Sequence, residues 1–427
     1  MFITCLGAVL EFLDFAIVIF FANELAATFL PGTGDAGRLW IFAIYSIGSV
    51  SRIFGGVLFS HFGDRIGRKK LFQLSIIVMS ASTLGIGLLP GYASIGITST
   101  ILLFFLRMLQ GLSVGGELPG AIVFVSEHVS PRYRGVLTSA IISSALVGLV
   151  LASSMGIALH HYLTQEQLNN WGWRIPFIAG STLGIFVYFL RKGIIETSLF
   201  TKILAQRSVV KIPVADLFRY NSSSIFIGTA LTSAAAAMVS LYILLPPYAS
   251  RYLDFPAEDV FVFTTSTLLL LALLTVFCGW LSDIIGRKYI LIVGGTILLI
   301  VANTASEAIQ TGSLWVVMAL TVIPSAIFNG CYVSSVAELF PTEVRYTGLA
   351  VCLNLGVCIF GGSVPYVIEL LTQARYSSGP LALMLMTGVF TIAGSVYMKS
   401  RHRCYLGNSN FPNMNIKSTG RASLIPD

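Results

Sequence analysis

Charge is what this sequence has least of. Only 11% of its 427 residues are Asp, Glu, Lys or Arg, where a soluble domain carries about a quarter. That is too little to solvate a globular surface, which excludes a soluble protein. Two motifs of soluble catalysis are also missing: there is no H-E-x-x-H, and no stretch has the spacing of a phosphate-binding loop. No enzyme activity and no cofactor are expected. The six cysteines show no C-x-x-C or Cys/His spacing, so they read as small helix-packing residues rather than a disulfide or metal set. The formal net charge is +7, but the basic residues are not clustered as a nucleic-acid face requires, and nucleic acid is excluded as a partner.

Apolar residues fill the space that charge leaves. They make up 55% of the chain, and the mean hydropathy is +0.84. A spanning helix needs about 20 apolar residues. Twelve such runs occur, at roughly 3–25, 38–59, 71–90, 98–125, 137–159, 173–190, 223–247, 260–281, 289–308, 313–337, 347–370 and 379–398. The first begins at Met1 without a basic n-region and reads as an uncleaved span rather than a signal peptide. Of the 26 Lys and Arg residues, 20 lie in the segments after even-numbered spans or in the tail. The positive-inside rule therefore places those segments and both termini in the cytoplasm. The expected organisation is an all-α membrane protein in two six-helix bundles, 1–191 and 222–399, with a cytoplasmic linker at 192–221 and a cytoplasmic tail at 400–427.

The two halves carry a shared signal. Ser60 to Lys70 reads S-H-F-G-D-R-I-G-R-K-K, and Gly279 to Lys288 reads G-W-L-S-D-I-I-G-R-K. Asp64 matches Asp283, Gly67 matches Gly286, and Arg68 matches Arg287, each 219 residues apart. A charged hinge repeated at half the chain length implies two related halves, a common construction in secondary transporters.

The run G-D-R-I-G-R-K-K resembles the signature of the major facilitator superfamily. Within it, Arg107 to Gly120 (R-M-L-Q-G-L-S-V-G-G-E-L-P-G), Ser126 to Gly135, Glu11 to Phe15 and Trp171 to Phe177 resemble the metabolite:proton symporters. That family includes transporters of proline/betaine, α-ketoglutarate, citrate and shikimate. The resemblance runs from about Gly7 to Lys399. Phe12 and Leu13 depart from it, standing where relatives carry a Trp–aromatic pair. It implies a major facilitator fold in a bacterial inner membrane, with a small organic solute and a proton as partners and the monomer as working unit. It also implies that the hinge Asp caps a helix N-terminus in the other half and pairs with a nearby Arg.

Intramembrane charge is costly, so ionisable residues inside spans are functional candidates. Five stand out, all in the first half: Glu11, Asp14, Arg52, Arg107 and Glu117. Glu11 and Asp14 share a helix face at i and i+3. Two carboxylates that close resist double ionisation, which suits a proton carrier, so Asp14, Glu11 and Glu117 are the proton-coupling candidates. Simple pairing with Arg52 or Arg107 is the structural alternative. Arg107, Arg52, Gln110, Tyr242 and Asn329 are the substrate-binding candidates. The gating set is Asp64, Arg65, Gly67, Arg68, Glu127 and Arg134 with Asp283, Gly286, Arg287, Glu338 and Arg345. Gly111, Gly115, Gly116 and Gly120 form G-x-x-x-G spacings and read as packing. His160 and His161 read as an interfacial pair rather than a metal site.

These residues point to proton-coupled symport of a small organic solute by alternating access. Two Arg against three carboxylates leave no surplus positive charge, which favours a zwitterion such as proline or betaine over a di- or tricarboxylate. A solute sensor without transport is the alternative of a different class, and neither linker nor tail supplies a signalling domain.

Overall fold

A computed structural model describes residues 2–66, 68–192, 221–340, 344–374, 376 and 379–398. Every regular element among them is helical. The first span is Phe2–Phe20, continued after a 64° bend by Ala22–Phe29. The second is Asp35–Ile66, the third Arg68–Leu88, and the fourth Ile97–Val114 followed by Glu117–His128. The fifth is Arg134–Tyr162, and the sixth is Arg174–Lys192, which is bent by 43° from the turn Gln165–Gly172 before it. In the second half the spans are Ser222–Tyr252, Ala257–Ile285, Arg287–Gln310 and Leu314–Glu338. The eleventh joins Arg345–Gly356 through a π-turn, Val357–Gly362, to Val364–Gln373, and the twelfth is Gly379–Met398.

Twelve spans therefore stand where the apolar runs predict them. Among the described residues nine are long and apolar enough alone, two are the bent pairs, and the third shows the apolar stretch Gln73–Leu88. The expected linker (from 193) and the tail lie outside the described residues, as do Gly67 and the side chains of Asp64, Arg65, Arg68 and Glu127.

Short connections force neighbouring spans to run antiparallel, so both charged hinges reach one face of the molecule, here the hinge face. The second hinge shows why glycine is needed there. Span eight ends at Ile285 and span nine starts at Arg287, leaving Gly286 alone to reverse the chain at φ +100°. That region of backbone space is closed to side chains with a Cβ.

The bundles meet along matching pairs: span five packs on span eight, span two on span eleven, and span one on span seven. Adding six to a span number exchanges the first two pairings, so they are copies related by the internal repeat. Glycine sets the closest approaches within and between bundles. A Cβ on Gly111 would strike the Gly48 carbonyl, joining spans four and two. One on Gly135 would strike the Gly279 carbonyl, joining spans five and eight. Small residues at interfaces are the usual packing device where lipid removes the hydrophobic drive between helices.

Outward, the bundles present large apolar side chains such as Phe226, Leu273, Phe277 and Ile300. Exposed Trp40, Tyr162 and Trp315 ring the far end of the spans, with Trp280, Tyr289 and Tyr397 at the hinge end. Two aromatic belts around an apolar band are the surface of a membrane-spanning protein.

Candidate functional site: buried charge between two bundles

Proline creates the first feature of the site. Pro119 is the fourth residue after Gly115, so the Gly115 carbonyl has no intrahelical donor. Asn354 of span eleven supplies one, its Nδ2 donating to Gly115 O at 2.7 Å. The hydroxyl of Tyr346 reaches the next carbonyl, Gly116 O, at 3.2 Å. Pro365 repeats the arrangement. It leaves the Gly361 carbonyl to accept from Ser240 Oγ at 3.0 Å, and Ser46 crosses from the first half to Gly362 O at 2.8 Å. Breaks in two helices thus become polar ties, several of them between the bundles.

The five predicted intramembrane charges are all buried, and they form two arrays. In the first, Arg52 Nη2 stands 2.6 Å from Glu11 Oε1, as a charge contact without hydrogen-bond alignment. Arg52 Nε donates to Asn354 Oδ1 at 2.8 Å, so this guanidinium ties span one to the second bundle. In the second, Arg107 Nη1 donates to Gln110 Oε1 at 2.7 Å, and Gln110 Nε2 donates to Asp14 Oδ2 at 2.6 Å. Thr83 donates to the other Asp14 oxygen at 2.7 Å. Glu11 and Asp14, though one turn apart, serve different partners. Glu117 accepts from Ser75 at 3.5 Å and is near enough to Glu11 for their charges to repel.

Four polar atoms in these arrays have no hydrogen-bond partner: Glu11 Oε1 and Arg52 Nη2, which meet only as charges, and Glu11 Oε2 and Arg107 Nε. The Arg107 guanidinium carbon lies 5.5 Å from the Phe15 ring centre and 5.7 Å from that of Tyr45. Those two rings, with Phe12, Arg52, Asn329 and Tyr332, line a cavity between the bundles. Its volume is about 50 Å³, far below the roughly 300–1,000 Å³ of a ligand pocket. This conformation is closed around the centre.

The structure rearranges the substrate-binding candidates. Arg52 and Asn329 face the cavity, whereas Arg107, Gln110 and Tyr242 are not part of its wall. Gln110 bridges Arg107 to Asp14, and Tyr242 shares hydrogen bonds with Thr321 at 2.7 Å and Ser325 at 3.1 Å. The run Gly111–Gly115 has G-x-S-x-G spacing, yet it sits inside a helix. Ser113 Oγ there donates to the Gln110 carbonyl, which is not the strand-to-helix elbow a nucleophile needs.

The expectation that buried charge is confined to the first half is corrected. Glu369, in the last turns of span eleven, is buried and pairs with Arg38 of span two at 2.6 Å. Tyr252 accepts from Arg38 and donates to Glu369, both at 2.9 Å. Glu24 is buried at the same face. The sequence placed Arg38 and Glu369 at the edges of spans, where exposure is the default; only the pairing of spans two and eleven brings them together.

At the hinge face, Asp283 accepts from the backbone N–H of Gly135 at 2.8 Å and of Val136 at 3.0 Å. Arg287 pairs with the same carboxylate at 3.1 Å and with Glu338. Arg134 donates to the Ser126 carbonyl at 3.0 Å, and Arg345 to Ala337 at 3.1 Å. Donors and acceptors in these last two bonds are each 211 residues apart, another copy of the internal repeat.

Twelve spans in two related bundles, tied at both faces around a central cavity with buried charge, define a secondary transporter. The comparisons give the family. Residues 4–364 match the Major Facilitator Superfamily, and the chain belongs to it. It is 31% identical to the inner membrane metabolite transport protein YhjE of Escherichia coli (strain K12), over 93% of both chains. Identity to a putative proline/betaine transporter of Staphylococcus aureus (strain COL) is also 31%, over 96% of this chain and 90% of the relative. The proline/betaine transporter of Salmonella typhimurium is 29% identical, over 92% and 82%. Among solved structures, the proton:xylose symporter XylE bound to 6-bromo-6-deoxy-D-glucose superposes with a TM-score of 0.75 at 16% identity, over 94% of each chain. That likeness concerns the fold.

Proposed function

We propose that the chain is a proton-coupled symporter of a small zwitterion of the proline or betaine kind, working by alternating access of residues 1–191 against 222–399. The observation that carries the substrate class is the chemistry of the central wall. Four aromatic rings, Phe12, Phe15, Tyr45 and Tyr332, line the cavity together with one guanidinium, that of Arg52, already engaged by Glu11 and Asn354. Aromatic faces attract a quaternary or secondary ammonium group. The Arg107 guanidinium behind Phe15 and Tyr45, whose Nε has no hydrogen-bond partner, is one positive group and suits one carboxylate better than two or three. The proline/betaine transporters among its relatives support the same class.

Asp14 is the proposed proton carrier, because its charge is linked through Gln110 to the guanidinium that would meet the solute carboxylate. Protonating Asp14 frees Gln110 and changes what Arg107 can bind, which couples the two cargoes. The hinge face is proposed to be cytoplasmic, as the Lys/Arg bias indicates, with both termini on that side of a bacterial inner membrane. A reporter fused after Lys202 tests this and should behave as cytoplasmic.

Uptake into proteoliposomes decides the function. Labelled proline or glycine betaine should accumulate with an inward proton gradient and exchange without one. Inhibition by α-ketoglutarate, citrate or shikimate, without inhibition by unlabelled betaine, would overturn the zwitterion. Binding without any uptake would leave a sensor.

A further inference from the structure

A second cavity, of about 630 Å³, opens between the bundles at the face opposite the hinges. It lies within the size range of small-molecule sites, and the central network leaves it unused. Glu24, just past the bend in span one, helps to line it and is 3% exposed. Its carboxylate is weakly held. Gln165 Nε2 donates to it at 3.4 Å, and His160 Nε2 stands at 3.8 Å and is charged only when protonated. No lysine or arginine lies within 4 Å of it among the described residues. A buried carboxylate without a fixed counter-charge is costly in a membrane protein and marks a place for a cation. The rings of Phe20 and Phe261 line the same cavity, 5.4 Å apart and edge to face. The other bundle contributes Arg251 to the lining.

We propose that this vestibule is a second binding site, selective for a small quaternary or secondary ammonium group, which Glu24 holds against Phe20 and Phe261. Charge attraction and cation–π contact act together there. The site lies where a solute entering from that face would first meet buried charge. That the natural occupant is the transported zwitterion rests on the function proposed above; the affinity for an ammonium group does not.

Tetramethylammonium separates the two, because it has no carboxylate for Arg107 to recognise and the closed central cavity of about 50 Å³ is too small to admit it. Calorimetric titration of the full-length protein in detergent should give one binding event. Glu24→Gln should weaken it at least tenfold and Glu24→Asp less, while Tyr332→Ala in the central cavity should leave it unchanged. An Ala27→Cys variant, placed in the vestibule wall, gives a readout that keeps Glu24 intact. Its labelling by a charged methanethiosulfonate should be slowed by tetramethylammonium. If binding survives Glu24→Gln, is lost in Tyr332→Ala, or fails to protect Ala27→Cys, the vestibule site is wrong. Proline and betaine uptake can fail without affecting any of these readings.

Discussion

Asp283 and Gly135 are 148 residues apart in the chain, and the carboxylate of one accepts the backbone N–H of the other at 2.8 Å. With the second bond, from Val136, the end of span eight caps the N-terminus of span five. The first turn of a helix exposes unpaired N–H groups and a partial positive charge, and a carboxylate answers both. The contact is possible only because Gly135 and Gly279 let the two backbones meet. Arg287 anchors the carboxylate from behind. The latch thus joins the bundles on the hinge face, while the opposite face holds the larger cavity.

Asp283→Asn should loosen this latch. The amide keeps the shape but loses the charge, a change of about 1–2 kcal/mol, or roughly tenfold in the population of states. Hinge-face cysteines should become more reactive and net transport should fall, with solute affinity near normal. Asp64→Asn, in the repeated hinge, should act the same way. A collapse of affinity with unchanged cysteine reactivity would remove the gating role.

Asp14→Asn should abolish accumulation driven by a proton gradient and spare exchange of solute. Gln110→Leu is the sharper test of the relay, since it keeps both charges and removes the bridge between Arg107 and Asp14. It should lower coupled uptake and solute affinity together. Normal pH dependence in Asp14→Asn would return that residue to a structural role.

Asn354 serves two masters, Arg52 and the carbonyl that Pro119 leaves unpaired. Asn354→Ala strands both, and a buried group without its partner costs about 1–3 kcal/mol. Pro119→Ala restores an N–H for Gly115, so it should rescue part of the Asn354→Ala loss in folded yield and transport. The part involving Arg52 should persist. Full rescue would mean that the Arg52 bond contributes nothing.

The spans were legible because each must be an apolar run about 20 residues long. The packing role of Gly111 could be read as well, since close helix approach leaves a G-x-x-x-G trace. What the sequence withheld is partnership. Nothing local says that Gln110 stands between Arg107 and Asp14, or that Gly135 and Val136 receive Asp283. The bend after Phe20 follows no proline or glycine. Glu369 escaped notice for a related reason: at the end of a span a carboxylate reads as solvated, and its cation lies 331 residues away.

That distant pair yields the last prediction. Arg38, Glu369 and Tyr252 tie the two bundles together toward the face opposite the hinges with a buried, hydrogen-bonded ion pair. Removing one member of such a pair strands the other, at a cost of about 3–5 kcal/mol, whereas replacing both by apolar residues is often neutral. Arg38→Met and Glu369→Met should therefore each impair folding or transport, and the double variant should be much less impaired than the sum of the two. The double variant also lacks the latch, so vestibule cysteines should label faster in it than in the native chain while Asp283 still holds the hinge face. Additive losses in the cycle would show that the two side chains act separately. Unchanged labelling in a well-folded double variant would show that the pair supports the fold without gating it.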